Sequence, residues 1–179
     1  MAKCKNCKAV FEPRSFNRKF CDADECNNLY FEELKKKALS KWNKKKKAKK
    51  EELKTVSDLM REVQVVCNSF IRERDKNKGC ISCGCDLSAK FDAGHYFSSF
   101  GHKNITFNID NIHGQCVACN QYKHGNLIQY QIGIQKRIGA ERLLKLHELA
   151  HKEYRPTRDE LRKLKKKFQE KLAALKKNA

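Results

Sequence analysis

The 179-residue sequence predicts an α+β protein. A small zinc-bound strand-strand-helix finger is expected, flanked by long basic helices and preceded by an N-terminal four-cysteine zinc module. Three observations carry this expectation. Eight of the ten cysteines fall into short-spaced pairs, the stretch between the two central pairs reads as two short strands, and most of the remaining chain reads as amphipathic helix. Composition adds a partner: 40 Lys+Arg against 21 Asp+Glu give a net charge of +19, and such an excess is matched best by a polyanion, because each neutralised phosphate releases condensed counterions. No apolar run approaches the roughly 20 residues of a membrane-spanning helix, so no membrane partner is expected.

The opening residues, MAKCKNCKAVF, lack the apolar core of a signal peptide. The chain is therefore expected in the cytoplasm, where paired cysteines mean metal before disulfide. Within residues 1–28, Cys4 and Cys7 form a C-x-x-C pair and Cys21 and Cys26 a second pair. Four soft ligands from two tight turns suit a tetrahedral Zn2+, which here would replace a core that so few residues cannot build.

Residues 29–78 form a basic helical arm or linker. Phe31, Leu34, Ala38 and Trp42 make one apolar stripe, so one face of this helix is expected to be buried. Residues 35–54 carry eleven Lys and two Glu; nine net charges in twenty residues repel one another unless an anion screens them. Lys44, Lys45, Lys46, Lys47, Lys49 and Lys50 are thus candidate DNA contacts. Thr55-Val-Ser-Asp58 has the pattern of a capping box, and Leu59, Val63, Val66 and Phe70 continue a second helix to about Arg74. Cys67, beside that seam, is expected as a small core residue.

The finger spans residues 79–139. Cys80/Cys83 and Cys116/Cys119 supply a second set of four thiols, with Cys85 as an alternative to Cys83. Between them, Lys90–Tyr96 and Asn104–Asn108 read as two strands of a hairpin, and the run from Cys116 to Tyr122 is expected to begin a helix. A hydrolytic phosphodiesterase needs a base to activate water, a divalent cation on the phosphate and a group that orients the base. The available residues are His95, Asn111, Asn120 and an acid such as Asp92. In a regular strand residues 92 and 95 face opposite sides, so Asp92 joins His95 only across a bulge or turn at Ala93-Gly94. His113 and His102 are competing metal ligands, Lys123 or His124 could stabilise developing phosphorane charge, and Lys123 is also a candidate DNA contact. His102, His147 and His151 otherwise read as surface or packing residues.

Residues 140–179 form basic C-terminal helices. The helical pattern from Leu127 to Tyr154 breaks near Gly139, and Thr157-x-x-Glu160 caps a last helix striped by Leu161, Leu164, Phe168, Leu172 and Leu175. Residues 158–177 carry nine Lys+Arg against three acids, whereas residues 79–139 carry five against three. A nearly neutral centre between basic helices suggests that chemistry and positioning are divided between them.

The order His95, Asn111, Asn120 between C-x-x-C pairs is similar to the HNH or ββα-metal nucleases, in the variant whose last position is Asn. More closely, the D-A-G-H-Y segment, the run from Phe107 through N-I-H-G-Q-C-V-A-C-N-Q-Y-K to G-N-L, and the N-terminal C-K-N-C with its F-C partner resemble the NinG/Rap family of phage recombination proteins, across nearly the whole chain. The resemblance implies an HNH-like fold and a Mg2+- or Mn2+-dependent endonuclease cutting branched DNA, such as Holliday junctions and D-loops, in the bacterial host cell. It implies His95 as general base, Asn111 as the residue that orients it, and Asn120 as a ligand of the catalytic cation, with Asp92 and His113 as further candidates. Two symmetric cuts in a two-fold junction favour a homodimer, its interface sought in helices 27–76 or 140–178, and recombination proteins are possible partners. Two other readings share the same residues: a zinc-dependent nucleic-acid-binding protein that does not cut, and a sequence-specific HNH endonuclease.

Overall fold

Four thiols, rather than an apolar core, organise the first 54 residues. Strands β1 (Ala2–Lys3) and β2 (Val10–Phe11) pair antiparallel, with Ala2 opposite Phe11, and the turn between them carries Cys4 and Cys7. Helix α1 (Asp24–Glu52) brings in Cys26 on its first turn. Cys4, Phe20, Cys21 and Cys26 are buried together, flanked by Phe11 and Tyr30. The Arg18 guanidinium lies 4.8 Å from the Tyr30 ring centroid and donates to the Phe20 carbonyl and to Asn27. Asp24 and Glu25 place negative charge at the positive end of the helix dipole.

Beyond that first turn α1 departs from expectation. Phe31, Leu34, Ala38 and Trp42 are all exposed, and Cys26 is the helix's one buried residue. The expected buried face is not formed within this unit, because the short strands and the thiol knuckles are too small to reach the later turns. Lys46 lies over the Trp42 ring at 4.8 Å, so the stripe is partly shielded by the helix's own lysines.

The computed structural model describes residues 1–87 and 90–177 and divides into two compact units, Met1–Lys54 and Thr55–Ala179. This replaces the four expected segments. Residues 55–78 leave the basic arm, and residues 140–177 leave the C-terminal one, to join the finger in a single unit. Its elements are α2 (Val56–Asp75), β3 (Phe91–His95), β4 (Ile112–Cys116), α3 (Leu127–Ile138), α4 (Ala140–Ala150) and α5 (Arg158–Lys177).

Two capping boxes start the helices that build its main core. The Asp58 amide donates to Thr55 Oγ1 at 3.2 Å and the Thr55 amide to Asp58 Oδ2 at 3.1 Å; Thr157 and Glu160 repeat the arrangement before α5. Leu59, Val63, Cys67, Phe70 and Ile71 of α2 then meet Leu161 and Phe168 of α5 together with Phe107 and Ile112. The Phe70 and Phe168 rings are 5.7 Å apart, and Lys165 reaches Glu62 at 2.8 Å. The seams of both helices are therefore spent inside the chain.

Strands β3 and β4 pair antiparallel from Phe91 opposite Cys116 to His95 opposite Ile112. The first strand falls where the sequence places it, but the second does not. Residues 103–105 form a 3-10 turn, closed by bonds such as Ile105 N to the His102 carbonyl and Asn108 N to the Ile105 carbonyl. The true partner is Ile112–Cys116, whose outer edge is fully occupied: Arg74 donates to the Ile112 carbonyl, the Gly114 amide donates to Asp75, the Ile81 amide to the Gly114 carbonyl, and the Cys116 amide to Cys80 Sγ. The end of α2 and the first cysteine knuckle thus act as the next strand would.

Helix α3 crosses the knuckle so closely that a Cβ on Gly133 would stand 1.8 Å from the Ile81 carbonyl. Gly139, at φ 84, turns the chain into α4. Ile81, Ile105, Tyr130, Ile134, Leu143 and Leu146 form the second core.

Candidate functional site

The hairpin positions His95 at the end of β3, half-buried, with Nε2 3.1 Å from the Thr106 carbonyl. A carbonyl only accepts, so Nε2 carries the hydrogen and Nδ1 keeps its lone pair. Burial lowers the His95 pKa below the ordinary histidine value, against the opposing effect of the Thr106 carbonyl. The imidazole is held neutral near pH 7, with one nitrogen able to accept a proton.

Asn111 closes the loop that carries Thr106. Fully buried, it donates from Nδ2 to the carbonyls of Phe97 (3.0 Å) and Ile105 (3.2 Å), and its Oδ1 accepts from the Phe97 amide (2.8 Å). Its own carbonyl accepts from the Tyr96 amide at 2.9 Å. Asn111 therefore touches His95 only through the loop.

Asn120 sits on a short π-helical turn, Ala118–Tyr122, in place of the longer helix expected from Cys116. That turn ends early because the Gly125 amide bonds back to the Cys119 and Asn120 carbonyls, and Asn126 follows at φ 44. Asn120 Nδ2 donates to Asp92 Oδ2 at 2.9 Å, and Gln121 Nε2 donates to the same oxygen at 2.8 Å. The ladder of β3 is unbroken, so no bulge rotates Asp92 toward His95. The two side chains alternate to opposite faces. What the structure brings together is Asp92, Asn120 and Gln121. With both amide donors spent on Asp92 Oδ2, Asp92 Oδ1 and Asn120 Oδ1 remain as oxygen donors, the ligand type a hard cation takes.

His113 is corrected as a metal candidate. It is 2% exposed, its Nδ1 is 3.3 Å from the Tyr130 hydroxyl, and burial together with the Arg74 charge lowers its pKa to about 3. It belongs to the interior between hairpin and α3, where Tyr130 also donates to the Gly94 carbonyl. His102, His147 and Phe97 pack ring against ring, and His102 Nδ1 bonds the Ala150 carbonyl. Lys123 and His124 are exposed, as are Lys44, Lys45, Lys46, Lys47, Lys49 and Lys50 on α1.

Two cysteine groups could hold zinc. Cys4, Cys7, Cys21 and Cys26 lie with their sulfurs within 4.8 Å of one another, the set expected. In the second group the mutually close thiols are Cys80, Cys83, Cys85 and Cys116. Cys85 is drawn in because Gly84, at φ 76, folds the chain back and the Cys80 amide donates to the Cys85 carbonyl. Cys119, the expected fourth ligand, stands at the rim, its amide donating to Cys116 Sγ and its own sulfur accepting from Asn126. The Cys85 backbone amide pulls the Cys83 thiol down to about 6; hydrogen bonding with Cys83 and burial push Cys85 up to about 12; burial with the neighbouring sulfurs does the same to Cys119. So many sulfurs share this space as thiolates only around a cation.

Some contributors have no sequence signal. Thr106 acts through its backbone carbonyl. Asp75, fully buried with Arg74 bidentate upon it, lies in a stretch that reads only as a helix end. Gln121 drew no reading from the sequence, though its place next to Asn120 is a signal that could have found it.

The family described as Bacteriophage Lambda NinG protein matches residues 1–178. The chain is 37% identical over 190 residues to protein ninG of Escherichia phage lambda, covering 97% of this chain and 92% of that protein. It is equally identical to the ninG proteins of Escherichia phage 933W, over 187 residues at 97% and 92% coverage, and of Salmonella phage P22, over 190 residues at 97% and 93% coverage. No solved structure matches the chain. The match over nearly the whole length places it: the chain belongs to the NinG family.

Proposed function

We propose that the chain is a structure-selective DNA endonuclease of HNH-like type, cutting branched DNA during phage recombination in the bacterial cytoplasm. One observation carries the reading. His95 is presented as a neutral imidazole with Nε2–H tied to the Thr106 carbonyl, which leaves Nδ1 as the proton acceptor, in a hairpin whose first strand offers Asp92 and whose following turn offers Asn120 as oxygen donors.

In this reading His95 Nδ1 takes a proton from the attacking water, and Thr106 holds the ring in the tautomer that can do so. Asn111 fixes the loop that presents Thr106, and so acts as a positioning residue. Asn120 and Asp92 would hold Mg2+ or Mn2+, which when bound supplies charge stabilisation at the phosphate. Lys123 beside this turn adds positive charge for the developing phosphorane. The second cysteine group, if filled with Zn2+, would keep hairpin and turn in register. The lysines of α1 hold DNA backbone, and a homodimer, with or without other recombination proteins, would place two sites on one junction.

A second reading, a zinc-dependent binding protein that does not cut, is favoured by the regular β3 strand, which sets Asp92 and His95 on opposite faces. The discriminating experiment offers end-labelled four-way junction, forked, linear and single-stranded DNA with Mg2+ or Mn2+. Cleavage confined to branched substrates is expected. Binding with no cleavage of any of them supports the second reading, and cutting of linear duplex at one fixed sequence defeats structure selectivity.

A further inference from the structure

The turn of the first knuckle and the adjoining face of α3 enclose a solvent-open cavity of about 460 Å³. Ser82, Gln129, Lys136 and Arg137 provide its polar lining, and no carboxylate lines it. Neither His95, Asp92 nor Asn120 takes part. We propose that this cavity is a phosphate site, receiving one backbone phosphate of the bound nucleic-acid strand beside the second cysteine cluster. The inference rests on the reading of the chain as a nucleic-acid-binding protein, and adds a contact to it.

Arg137 supplies the main argument. Its Nη2 donates to the carbonyls of Lys78 and Gly79, both at 3.2 Å, so the plane of the guanidinium is fixed. Its Nη1 is buried without a hydrogen-bond partner, the one side-chain nitrogen or oxygen in that condition among the described residues. An unpaired buried donor costs about 1–3 kcal/mol, a cost that a phosphate in the cavity removes by drawing Nη1 toward it. A planar guanidinium already anchored on one side suits a phosphate oxygen on the other.

The remaining groups agree in chemistry. Lys136 doubles the positive charge, and Gln129 can donate from its amide. The Ser82 hydroxyl accepts from Gln115 Nε2 at 2.8 Å, so it can still donate its own hydrogen. Two cations with amide and hydroxyl donors, and no carboxylate, describe a pocket for an anion; Cys80 and Cys83 of the second cluster also line it, and a cation held by that cluster would offset their charge. In a chain of net charge +19 the anion present in quantity is nucleic acid. Knuckle and α3 are in direct backbone contact at Gly133, so the groups from the two elements hold a fixed spacing.

The test is the salt dependence of junction binding, read by fluorescence anisotropy of a labelled four-way junction for wild type, Lys136→Ala, Lys136→Glu and Gln129→Glu. These positions are exposed, and the variants leave the Arg137 carbonyl bonds intact; retained zinc content verifies the fold. Loss of one phosphate contact should make the slope of log K against log salt shallower by about one. The two Glu variants, which put a carboxylate into the cavity, should weaken binding by at least about tenfold at low salt. If wild type binds and all three variants match it in affinity and slope, the phosphate site is wrong while the nucleic-acid reading stands. If wild type binds no DNA, that reading fails and takes the site with it.

Discussion

The two cysteine groups place similar chemistry in unlike surroundings. In the first unit the thiols of Cys4, Cys21 and Cys26, with Phe20, are the interior, and most of α1 extends beyond them with its apolar residues exposed. In the second unit the cluster around Cys80 lies beside two apolar cores and contributes one edge of a hairpin that α2 and α3 also hold. A thiol cluster that could hold metal is thus the whole interior of the one and a clamp on the other. The difference follows from size: a knuckle and two-residue strands bury too little apolar area to stand alone.

Removing zinc should separate the two most widely. With a strong chelator the first unit is expected to lose its tertiary structure, a loss on the order of 10 kcal/mol, while the α2–α5 core persists; amide NMR dispersion of the two regions reads this directly. Uniform survival, or uniform collapse, would break the comparison. Within the second cluster, sulfurs of Cys85 and Cys119 both stand close to Cys83 and Cys116. Cys85→Ser and Cys119→Ser are therefore each expected to keep zinc, and the double variant to lose it, as measured by metal content.

The next effect lies in the polar edge of β4. Asp75 is fully buried; burial alone would raise its pKa, but the Arg74 guanidinium and the Gly114 amide hold it at about 2. Its folded pKa is depressed, so its contribution is present above the ordinary carboxylate value, 3.8, and is lost as pH falls through about 2. That contribution is on the order of 2 kcal/mol. Asp75→Asn leaves Arg74 without its partner and should cost about 3–5 kcal/mol in denaturant melts near neutral pH. His113 adds an acid sensitivity of the same sign at higher pH: its pKa is depressed to about 3, so stability is full above 6.5 and falls as pH drops toward 3.

The smallest effect contrasts two apolar stripes that look alike in sequence. Phe168→Ala, in the α2–α5 seam, should cost about 3–5 kcal/mol. Trp42→Ala, on the exposed stripe of α1, should change stability by less than about 0.5 kcal/mol. Equal costs would mean that the α1 stripe is covered in solution.

This contrast also shows what the sequence could convey. The periodicity of Leu59, Val63, Phe70, Leu161 and Phe168 revealed helices that pack, because capping boxes and long seams are local signals. The same periodicity misled for Phe31, Leu34 and Trp42, since a stripe says nothing about whether a partner surface exists within reach. The second strand was misplaced because Asn104–Asn108 and Ile112–Cys116 are both short, each with two apolar residues among polar ones. The choice between them rests on Arg74, Asp75 and Ile81, which come from distant positions. At the site, residue types were enough to group Asp92 with Asn120, but not to show that the unbroken β3 ladder keeps Asp92 from joining His95, and the Thr106 carbonyl carried no residue-type signal at all.

The central claim is that His95 accepts a proton from water attacking a phosphodiester. It is tested most directly by single-turnover cleavage of a four-way junction with Mg2+, comparing wild type, His95→Ala and His95→Gln across pH. Because the His95 pKa is lowered, wild-type cleavage should rise with pH through a value below 6.5 and then level. Both variants should bind the junction as wild type does and cleave at least about a hundredfold more slowly. Cleavage by His95→Ala at the wild-type rate, or with the same pH profile, would contradict the account.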